Sequence, residues 1–343
     1  MKGNEAVGEA AIYAGCRYYF GYPITPQNEL TAYMARRMNE VGGTFVQAES
    51  EVAAISMVYG AAAAGVRTMT SSSGPGISLK QEGISYLAGA QLPCVIVNVM
   101  RGGPGLGNIA AAQSDYFQAT RGGGHGDYRT LVLAPHSIQE MFDLTMLGFH
   151  LADQYRMPAV VLADGILGQM MEPVLLHEPD FPPLPPKTWA VGRMKDRPRN
   201  LITSLYLGEG RLEAHNFDLQ NIYRKIQKHE VRFEETNTEG AEVLIVAFGT
   251  SARVGLGAVV EGRAQGLRIG LLRPITLWPF PYEAVAQYAE QVRSILVAEM
   301  SMGQMVEDIR LAVEGRCPIH FLGRPGGGVP TSREVLAKVR ECL

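Results

Sequence analysis

The chain has 343 residues, of which 46% are hydrophobic and 19% are charged, and its formal net charge is −3. That length suits two domains, and so slight an acidity predicts attraction neither to nucleic acid nor to an anionic membrane surface. No apolar run reaches the roughly 18 residues that a membrane span needs, and no signal peptide is visible, so we expect a cytoplasmic protein.

The first half of the chain alternates short apolar strands with helical patterns. Strands are predicted over residues 17–20, 44–47, 67–70, 94–99, 130–133 and 159–162, and helices over 27–39, 51–64 and 136–154. Near-continuous apolar strands that are separated by helices predict a parallel sheet covered on both faces. We assign residues 1–177 to this first domain.

The middle of the chain is harder to place. Residues 178–187 contain five prolines, which can hold neither a helix nor a strand ladder, and residues 218–235 have the pattern of a charged, exposed helix. We therefore expect a linker with an exposed helical segment over 178–240. Strand patterns at 242–248, 267–272, 294–298 and 318–322 then predict a smaller α/β domain over 241–343.

One stretch in the first domain carries an isolated charge. Glu51 opens a run of small and apolar residues that contains no other ionisable carboxylate or amine as far as Gly65. This composition predicts a helix that is hydrophobic nearly all round and therefore buried. A carboxylate at the start of such a helix is either a partner of the helix dipole or a functional group in a dry site, and the residues alone leave both open.

Three loops at predicted strand ends, where open α/β sheets bind ligands, have unusual compositions. Thr25 stands between two prolines and could equally cap the next helix. Residues 71–76 are rich in hydroxyls and glycine, as in a turn that approaches an anion or a ring, or in an ordinary turn. Arg101 precedes several glycines and suits a carboxylate, with a structural salt bridge as the alternative.

The loop after Arg101 also contains Gly105-x-Gly107-x-x-Ala110, which is similar to the dinucleotide-binding fingerprint. That fingerprint requires an acidic residue at the end of the next strand, and the predicted strand at 130–133 ends without one. The pattern therefore argues only weakly for a nicotinamide cofactor.

The four cysteines are spread along the chain with no Cys-x-x-Cys pair; they are Cys16, Cys94, Cys317 and Cys342. Zinc or cluster ligation needs several thiolates close together, so we expect no metal site on this chain. Cys94 lies in an apolar strand pattern and is expected to fill the core.

Taken together, these residues resemble the α subunit of 2-oxoacid:ferredoxin oxidoreductases, most of all the 3-methyl-2-oxobutanoate (2-ketoisovalerate) members. The similarity rests on motifs in the family's order: Tyr22-Pro-Ile-Thr-Pro26, Glu51 with its alanine-rich helix, Arg101-Gly-Gly-Pro104, Gln113-Ser-Asp115, Gly124-His-Gly-Asp127, Arg273-Pro-Ile-Thr-Leu-Trp-Pro-Phe-Pro281 and Glu299-Met-Ser-Met-Gly-Gln304. It implies an α/β fold, in which a pyrimidine-type thiamine-diphosphate-binding domain with a parallel sheet precedes a smaller transketolase C-terminal-like domain.

The resemblance also implies an activity, the oxidative decarboxylation of a 2-oxoacid to acyl-coenzyme A with electrons passed to ferredoxin. Glu51 is then the catalytic residue, through a hydrogen bond to N1′ of the pyrimidine of thiamine diphosphate, and Pro23 contacts the same ring through its backbone. Thr25 and Arg101 bind the substrate. Candidates for residues that support these groups from behind are Asp115, His125 and Asp127, with a purely structural role as the alternative for His125.

The family holds the diphosphate through Mg²⁺ on a Gly-Asp-Gly…Asn motif, and the only Gly-Asp in this chain, Gly126-Asp127, lacks the following glycine. The resemblance therefore implies that thiamine diphosphate is shared with a β subunit that carries Mg²⁺. It implies further that γ and ferredoxin-like subunits carry iron–sulfur clusters, with ferredoxin as acceptor and coenzyme A as co-substrate.

Residues 105–112 contain no cation and include the apolar Leu106 and Ile109, which favours a branched or otherwise apolar 2-oxoacid. The same enzyme class acting on 2-oxoglutarate or pyruvate remains an alternative. So do an NAD-dependent dehydrogenase that uses the loop from Gly105 to Ala110 and a non-catalytic homologue of thiamine enzymes.

Overall fold

The computed structural model describes residues 1–192 and 198–343, which form two β-sheets with helices packed on their faces. The strands are β1 (Tyr18–Gly21), β2 (Thr44–Gln47), β3 (Thr68–Ser72), β4 (Cys94–Met100), β5 (Leu131–Leu133), β6 (Pro158–Asp164), β7 (Phe233–Thr236), β8 (Val243–Val246), β9 (Ile269–Pro274), β10 (Thr276–Trp278), β11 (Ser294–Glu299) and β12 (Ile319–Gly323). The helices are α1 (Gly3–Tyr13), α2 (Asn28–Glu40), α3 (Glu51–Ala63), α4 (Pro75–Gly89), α5 (Tyr116–Arg121), α6 (Ile138–Tyr155), α7 (Gly165–Gln169), α8 (Arg211–His229), α9 (Gly249–Ala264), α10 (Tyr282–Ala289), α11 (Met305–Val313) and α12 (Ser332–Cys342).

The larger sheet has seven strands in the order β10-β5-β6-β4-β3-β1-β2. Every residue of β3, β4 and β6 is buried, as expected of central strands that are covered by helices on both faces. All six strands predicted in the first half are confirmed, and Cys94 is buried on β4 as predicted. The six are parallel to one another, so their carboxyl ends lie at one edge of the sheet.

The seventh strand comes from far along the chain. β10 pairs antiparallel with β5 and extends the first sheet, although its sequence lies within the second alternating unit. The motif from Arg273 to Pro281 therefore spans both sheets, since β9 belongs to the smaller sheet and β10 to the larger. A three-residue strand leaves too little periodicity for its partner to be predicted from sequence.

The smaller sheet has the order β12-β11-β8-β9-β7, with β7 antiparallel at one edge. The helix predicted over residues 218–235 was placed wrongly, because α8 spans Arg211–His229 and residues 233–236 form β7. β7 is an edge strand of largely exposed polar residues, so it lacks the apolar alternation by which strands are recognised. α8 is also less exposed than predicted, since it buries Leu219, Tyr223 and Ile226.

Buried polar side chains join the two sheet units. Asp164, at the end of β6, accepts hydrogen bonds from the backbone N–H and the hydroxyl of Thr250 at 3.0 and 2.7 Å. The Gln113 amide donates to the Phe248 carbonyl at 2.8 Å and accepts from the Met300 N–H at 3.0 Å. Because buried polar groups are costly when unpaired, these bonds fix how the two units dock.

An ion-pair network forms a second connection. Arg273, which is 2% exposed, donates to both Glu140 oxygens at 3.0 and 2.7 Å and also to Glu234. Burial raises the pKa of Glu140, but the hydrogen bond with His136 and the charge of Arg273 hold it at about 2. His136, Glu140 and Glu234 lie close enough together for a metal ion, yet the cation between the two carboxylates is the Arg273 guanidinium.

Among the described helices, we find none with the length and apolar character that crossing a membrane would require.

Candidate functional site

The loops that follow β1, β2, β3 and β4 meet at the carboxyl edge of the larger sheet. These four strands are neighbours and parallel, so the edge brings together residues that are far apart in sequence. Thr25, Glu51, Gly74 and Arg101 all lie at this edge. Contacts described below link each of these loops, or the start of the helix that follows it, to a neighbour.

Glu51 is the first residue of α3. The helix begins there because the Ser50 hydroxyl accepts a hydrogen bond from the Ala53 N–H at 3.2 Å and so caps its N-terminus. Glu51 is only 6% exposed, yet its carboxylate accepts no hydrogen bond from any residue that the structure describes. The dipole of α3 favours a negative charge at this end, and both carboxylate oxygens remain available to another partner.

The composition of α3 predicted a helix that is buried on nearly all sides, and that prediction is wrong. Val52 is 45% exposed, and Ser56 and Gly60 are exposed as well. Positions four residues apart share one side of a helix, so α3 has an open face of small and apolar residues that starts beside Glu51. Alanine and glycine occur both in cores and on surfaces, which is why composition alone did not reveal this face.

The start of α4 approaches Glu51 closely. A Cβ atom at Gly76 would lie 2.2 Å from the Ser72 hydroxyl and 2.6 Å from Glu51 Oε1, so only glycine permits this approach. The hydroxyls of Ser72 and Ser73 are buried and have no hydrogen-bond partner among the described residues. Glu51 thus lies next to polar groups whose hydrogen-bonding capacity is unused.

Arg101 is buried at the end of β4 and holds two neighbouring loops. Its Nη1 donates to the Thr25 carbonyl at 3.0 Å, and its Nη2 donates to the Leu106 carbonyl at 3.1 Å. Its Nε is buried without a partner in the described part of the chain, 3.0 Å from where a Cβ would stand on Gly74. Gly74 has a φ of +49°, so glycine is required there for backbone reasons too.

Thr25 lies in the loop between β1 and α2, and its hydroxyl accepts a hydrogen bond from the Asn28 side chain at 3.0 Å. The next carbonyl, that of Pro26, accepts from Asn4 at 2.9 Å and from Gln169 at 2.7 Å. These bonds hold the loop against the sheet edge. Pro23, two residues after the end of β1 at Gly21, is exposed at the mouth of the site.

The loop after Arg101 rests on the second sheet unit. Asn108 donates to the Gly326 carbonyl at 2.9 Å, and a Cβ on Gly327 would lie 2.6 Å from the Ala110 Cβ. Leu106 and Ile109 are 80% and 65% exposed. A dinucleotide-binding loop requires glycines that lead directly into a helix. Here the next helix, α5, begins only at Tyr116, so this requirement is not met.

Asp115 lies within range of the charge of Arg101. Asn98, on β4, donates to Asp115 Oδ2 at 2.9 Å. Burial raises the pKa of Asp115, while the Asn98 hydrogen bond and the charge of Arg101 act in the opposite direction. Of the three residues proposed to support the site, Asp115 lies near a proposed substrate-binding residue, Arg101.

His125 and Asp127 lie elsewhere. Both are exposed and line a cavity of about 620 Å³ together with Ser85, Tyr86 and residues of α8. Ser85 follows Gly76 by nine residues on α4, which corresponds to about 13 Å along the helix axis. The structure therefore does not bring His125 and Asp127 together with Glu51.

Lys80 is a site residue that sequence reasoning missed. It is fully buried on α4, and its Nζ has no hydrogen-bond partner among the described residues. Burial lowers the pKa of Lys80 to about 8, and the charge of Glu51 offsets part of that effect. A lysine that shares one helical face with Gly76 and Gly83 is the sequence signal that could have identified it, because glycines on a helix face allow close packing.

Comparisons with known proteins cover almost the whole chain. Residues 9–227 match the family described as pyruvate flavodoxin/ferredoxin oxidoreductase, thiamine diP-bdg, and residues 241–335 match pyruvate:ferredoxin oxidoreductase core domain II. The ketoisovalerate oxidoreductase subunit VorB of Methanothermobacter marburgensis is 54% identical over 99% of this chain and 97% of its own length. The 2-oxoglutarate synthase subunit KorA of Methanothermobacter thermautotrophicus is 38% identical over 98% and 96%.

A solved structure agrees with these matches. The 2-oxoglutarate:ferredoxin oxidoreductase from Magnetococcus marinus with 2-oxoglutarate, coenzyme A and succinyl-CoA bound superposes with a TM-score of 0.88 at 30% identity. This chain is covered completely and spans 64% of that chain's length. A split gene transketolase, at 15% identity and a TM-score of 0.63, shares the fold. The resemblance and the fold class predicted from sequence are confirmed.

Proposed function

The chain belongs to the 2-oxoacid:ferredoxin oxidoreductase family as one subunit of a multisubunit enzyme, and we propose that it forms the pyrimidine wall of the active site. The reaction is the oxidative decarboxylation of a 2-oxoacid to acyl-coenzyme A, with electrons passed to ferredoxin. The observation that carries the proposal is the buried Glu51 carboxylate, which accepts no hydrogen bond from the described residues and lies at the same sheet edge as Arg101.

The residues at this edge fit the pyrimidine of thiamine diphosphate. N1′ of that ring needs a carboxyl partner, and the Glu51 carboxylate has both oxygens available. The unpaired Ser72 and Ser73 hydroxyls add donors and acceptors beside it. Pro23 is exposed at the mouth, where its backbone can meet the ring. Buried polar groups without partners are rare in folded proteins, so their concentration here supports a ligand site.

When bound, thiamine diphosphate supplies a carbon nucleophile for the 2-oxo group and accepts the electron pair left by departing carbon dioxide. Glu51 would hold the pyrimidine through a hydrogen bond to N1′ and would share a proton with that atom. The short reach between α3 and α4 at Gly76 keeps Glu51 out of bulk water, where a hydrogen bond to N1′ would be weaker. Acid–base catalysis of this kind contributes about two to four orders of magnitude in rate.

Arg101 and Thr25 have the chemistry to hold the substrate. The two terminal nitrogens of Arg101 each donate once to a backbone carbonyl, which fixes the guanidinium while leaving Nε–H and further N–H groups for a carboxylate. The Thr25 hydroxyl accepts from Asn28, so its own hydrogen can point to the 2-oxo oxygen. Asp115 lies near enough for the charge of Arg101 to act on it, so the two opposite charges partly balance.

The other wall of the site is expected from a partner. Large apolar side chains are exposed around the mouth of the site: Tyr22, Val52, Leu79, Leu106, Ile109 and Met302. Large apolar side chains that remain exposed in the free chain are typical of a protein interface. A β subunit that binds Mg²⁺ and the diphosphate would cover it, and γ and ferredoxin-like subunits would carry the clusters. The four cysteines of this chain lie on separate segments of the fold.

We propose a branched or otherwise apolar 2-oxoacid as the substrate. The loop from Gly105 to Ala112 has no cation to meet the second carboxylate of 2-oxoglutarate, and Leu106 and Ile109 project from it into solvent. Once a partner covers them, these two side chains would line an apolar wall. The similarity to the ketoisovalerate subunit is in line with this choice, and the bound coenzyme A in the related structure supports coenzyme A as co-substrate.

The test is the exchange of the C2 proton of thiamine diphosphate in the complex reassembled with its partner subunits. Glu51→Gln should slow exchange by about two to four orders of magnitude, because the amide cannot share a proton with N1′. Glu49→Gln, an exposed neighbour, is the matched control and should leave the rate unchanged. Exchange at the native rate in Glu51→Gln would show that the chain is a non-catalytic homologue.

A further inference from the structure

Lys80 is the one fully buried lysine at the site, and nothing in the described chain satisfies its ammonium group. Its side chain is 0% exposed, and no acceptor lies within hydrogen-bonding distance of Nζ. An isolated buried cation is among the costliest groups a fold can contain, so it is expected only where another interaction compensates for it. The structural alternative is that the aliphatic part of Lys80 merely fills space between α4 and its neighbours.

The position of Lys80 on α4 directs it toward Glu51. Gly76, Lys80 and Gly83 are spaced by four and three residues and therefore share one face of the helix. A Cβ on Gly76 would lie 2.6 Å from Glu51 Oε1, and one on Gly83 would lie 2.5 Å from Ile55 Cγ2, so this face packs on α3. Long helical side chains lean toward the N-terminus, which carries the ammonium of Lys80 back toward the Glu51 level.

Few other charged groups lie around Lys80 and Glu51. From α3, Glu51 is the group whose charge acts on Lys80. β3 contributes no titratable side chain, and β1 contributes two phenols, Tyr18 and Tyr19. Glu82, also on α4, bonds the exposed Tyr86 and faces away. Beyond the strand ends, the charge of Arg101 acts on Asp115, and among the described residues Lys80 is a cation whose charge interacts with that of Glu51.

We propose that Lys80 is a positioning residue for Glu51, whose buried ammonium group balances the carboxylate and keeps it ionised and directed at the mouth of the site. The inference rests on the proposed function of Glu51 and goes beyond it. Glu51 must accept a partner at N1′ from a dry environment, which by itself disfavours the charged carboxylate. A fixed cation behind the carboxylate opposes that effect without occupying the side that meets the ligand.

The experiment compares wild type with Lys80→Met, which keeps the length and apolar stem of the side chain and removes only the charge. Lys225→Met, on the exposed face of α8, removes the same charge far from the site and is the matched control. In the full chain, ¹³C NMR of labelled glutamate follows the Glu51 carboxyl, whose signal is identified by its loss in Glu51→Gln. In the reassembled complex, calorimetry measures the affinity for thiamine diphosphate as a function of pH.

Removal of the cation should move the midpoint of Glu51 proton uptake upward by about one pH unit or more, the usual effect of an opposite charge nearby. The affinity for thiamine diphosphate should fall at acid pH, and the pH at which it falls should move upward by the same amount. Lys225→Met should match wild type in both measurements. If Lys80→Met titrates as wild type does, Lys80 is only a packing residue and the inference is overturned.

The failure of the proposed function would look different. A wild-type complex that binds no thiamine diphosphate, or whose affinity is indifferent to Glu51→Gln, would refute the cofactor assignment. The carboxyl titration in the full chain would still decide whether Lys80 acts on Glu51. Lys80→Gln, a second neutral variant, should shift the midpoint in the same direction as Lys80→Met, and an opposite shift would contradict the role of the charge.

Discussion

The buried charge of Lys80 should make the folding stability of this chain depend on pH in a defined direction. Burial lowers the pKa of Lys80 to about 8 from its ordinary 10.5, with the charge of Glu51 acting the other way. Between these two values the unfolded chain binds the proton and the folded chain does not, so stability rises with pH from about 8 to 10.5. A difference of this size corresponds to roughly 3 kcal/mol.

Lys80→Met removes this cost and should stabilise the chain at pH 7 by about that amount. For 343 residues the entropy of unfolding is about 0.7 kcal/mol per degree, so the melting temperature should rise by about 4 °C. Near pH 10.5, where Lys80 is neutral in the fold and only half protonated in the unfolded chain, the gain should nearly vanish. Thermal unfolding of both proteins at the two pH values measures the difference, with Lys225→Met as the control. An equal difference at both pH values, or a loss of stability at pH 7, would refute the reasoning.

Three further predictions concern the domain contact, the incomplete site and the substrate. Glu140→Gln should cost up to about 3 kcal/mol at pH 7 in urea unfolding, because the pKa of Glu140 is about 2 in the fold; the cost should disappear as pH falls from 4.5 to 2. The purified chain alone should bind thiamine diphosphate and Mg²⁺ poorly, and micromolar affinity in calorimetry would contradict the need for a partner. The assembled enzyme should show a higher kcat/KM for 3-methyl-2-oxobutanoate than for 2-oxoglutarate; the reverse order would mean that Leu106 and Ile109 do not face the substrate.

The sequence was most informative where burial on both faces imposes a simple pattern. The central strands β4 and β6 are near-continuous apolar runs, and their approximate positions were predicted from that pattern alone. Strands at sheet edges were harder, because their residues need not be apolar. β7 is a polar edge strand that was mistaken for the end of a helix, and β10 is three residues long and pairs with a strand more than a hundred residues earlier.

The candidate site was predicted only in part, for a related reason. Glu51, Thr25 and Arg101 stand out because a charge or a hydroxyl interrupts an apolar or glycine-rich context next to a strand end. Lys80 was missed because one lysine in a helix usually lies on the solvated side, and its burial depends on which face of α4 packs on α3. His125, which sequence reasoning linked to the site, lies in a loop that packs against the later turns of α4.

The same physical argument connects the open side of the site with its buried cation. In an isolated chain optimised for stability, Lys80 would be an apolar residue, and the exposed Val52 and Leu106 would be polar. Each departure costs stability or solubility in the free subunit. The buried Lys80 and the exposed apolar side chains both become favourable when a partner covers the mouth of the site and excludes water from Glu51. The carboxylate then depends on Lys80 for its countercharge, because solvent can no longer supply one. These departures from local rules therefore indicate a site that is complete only in the assembled enzyme.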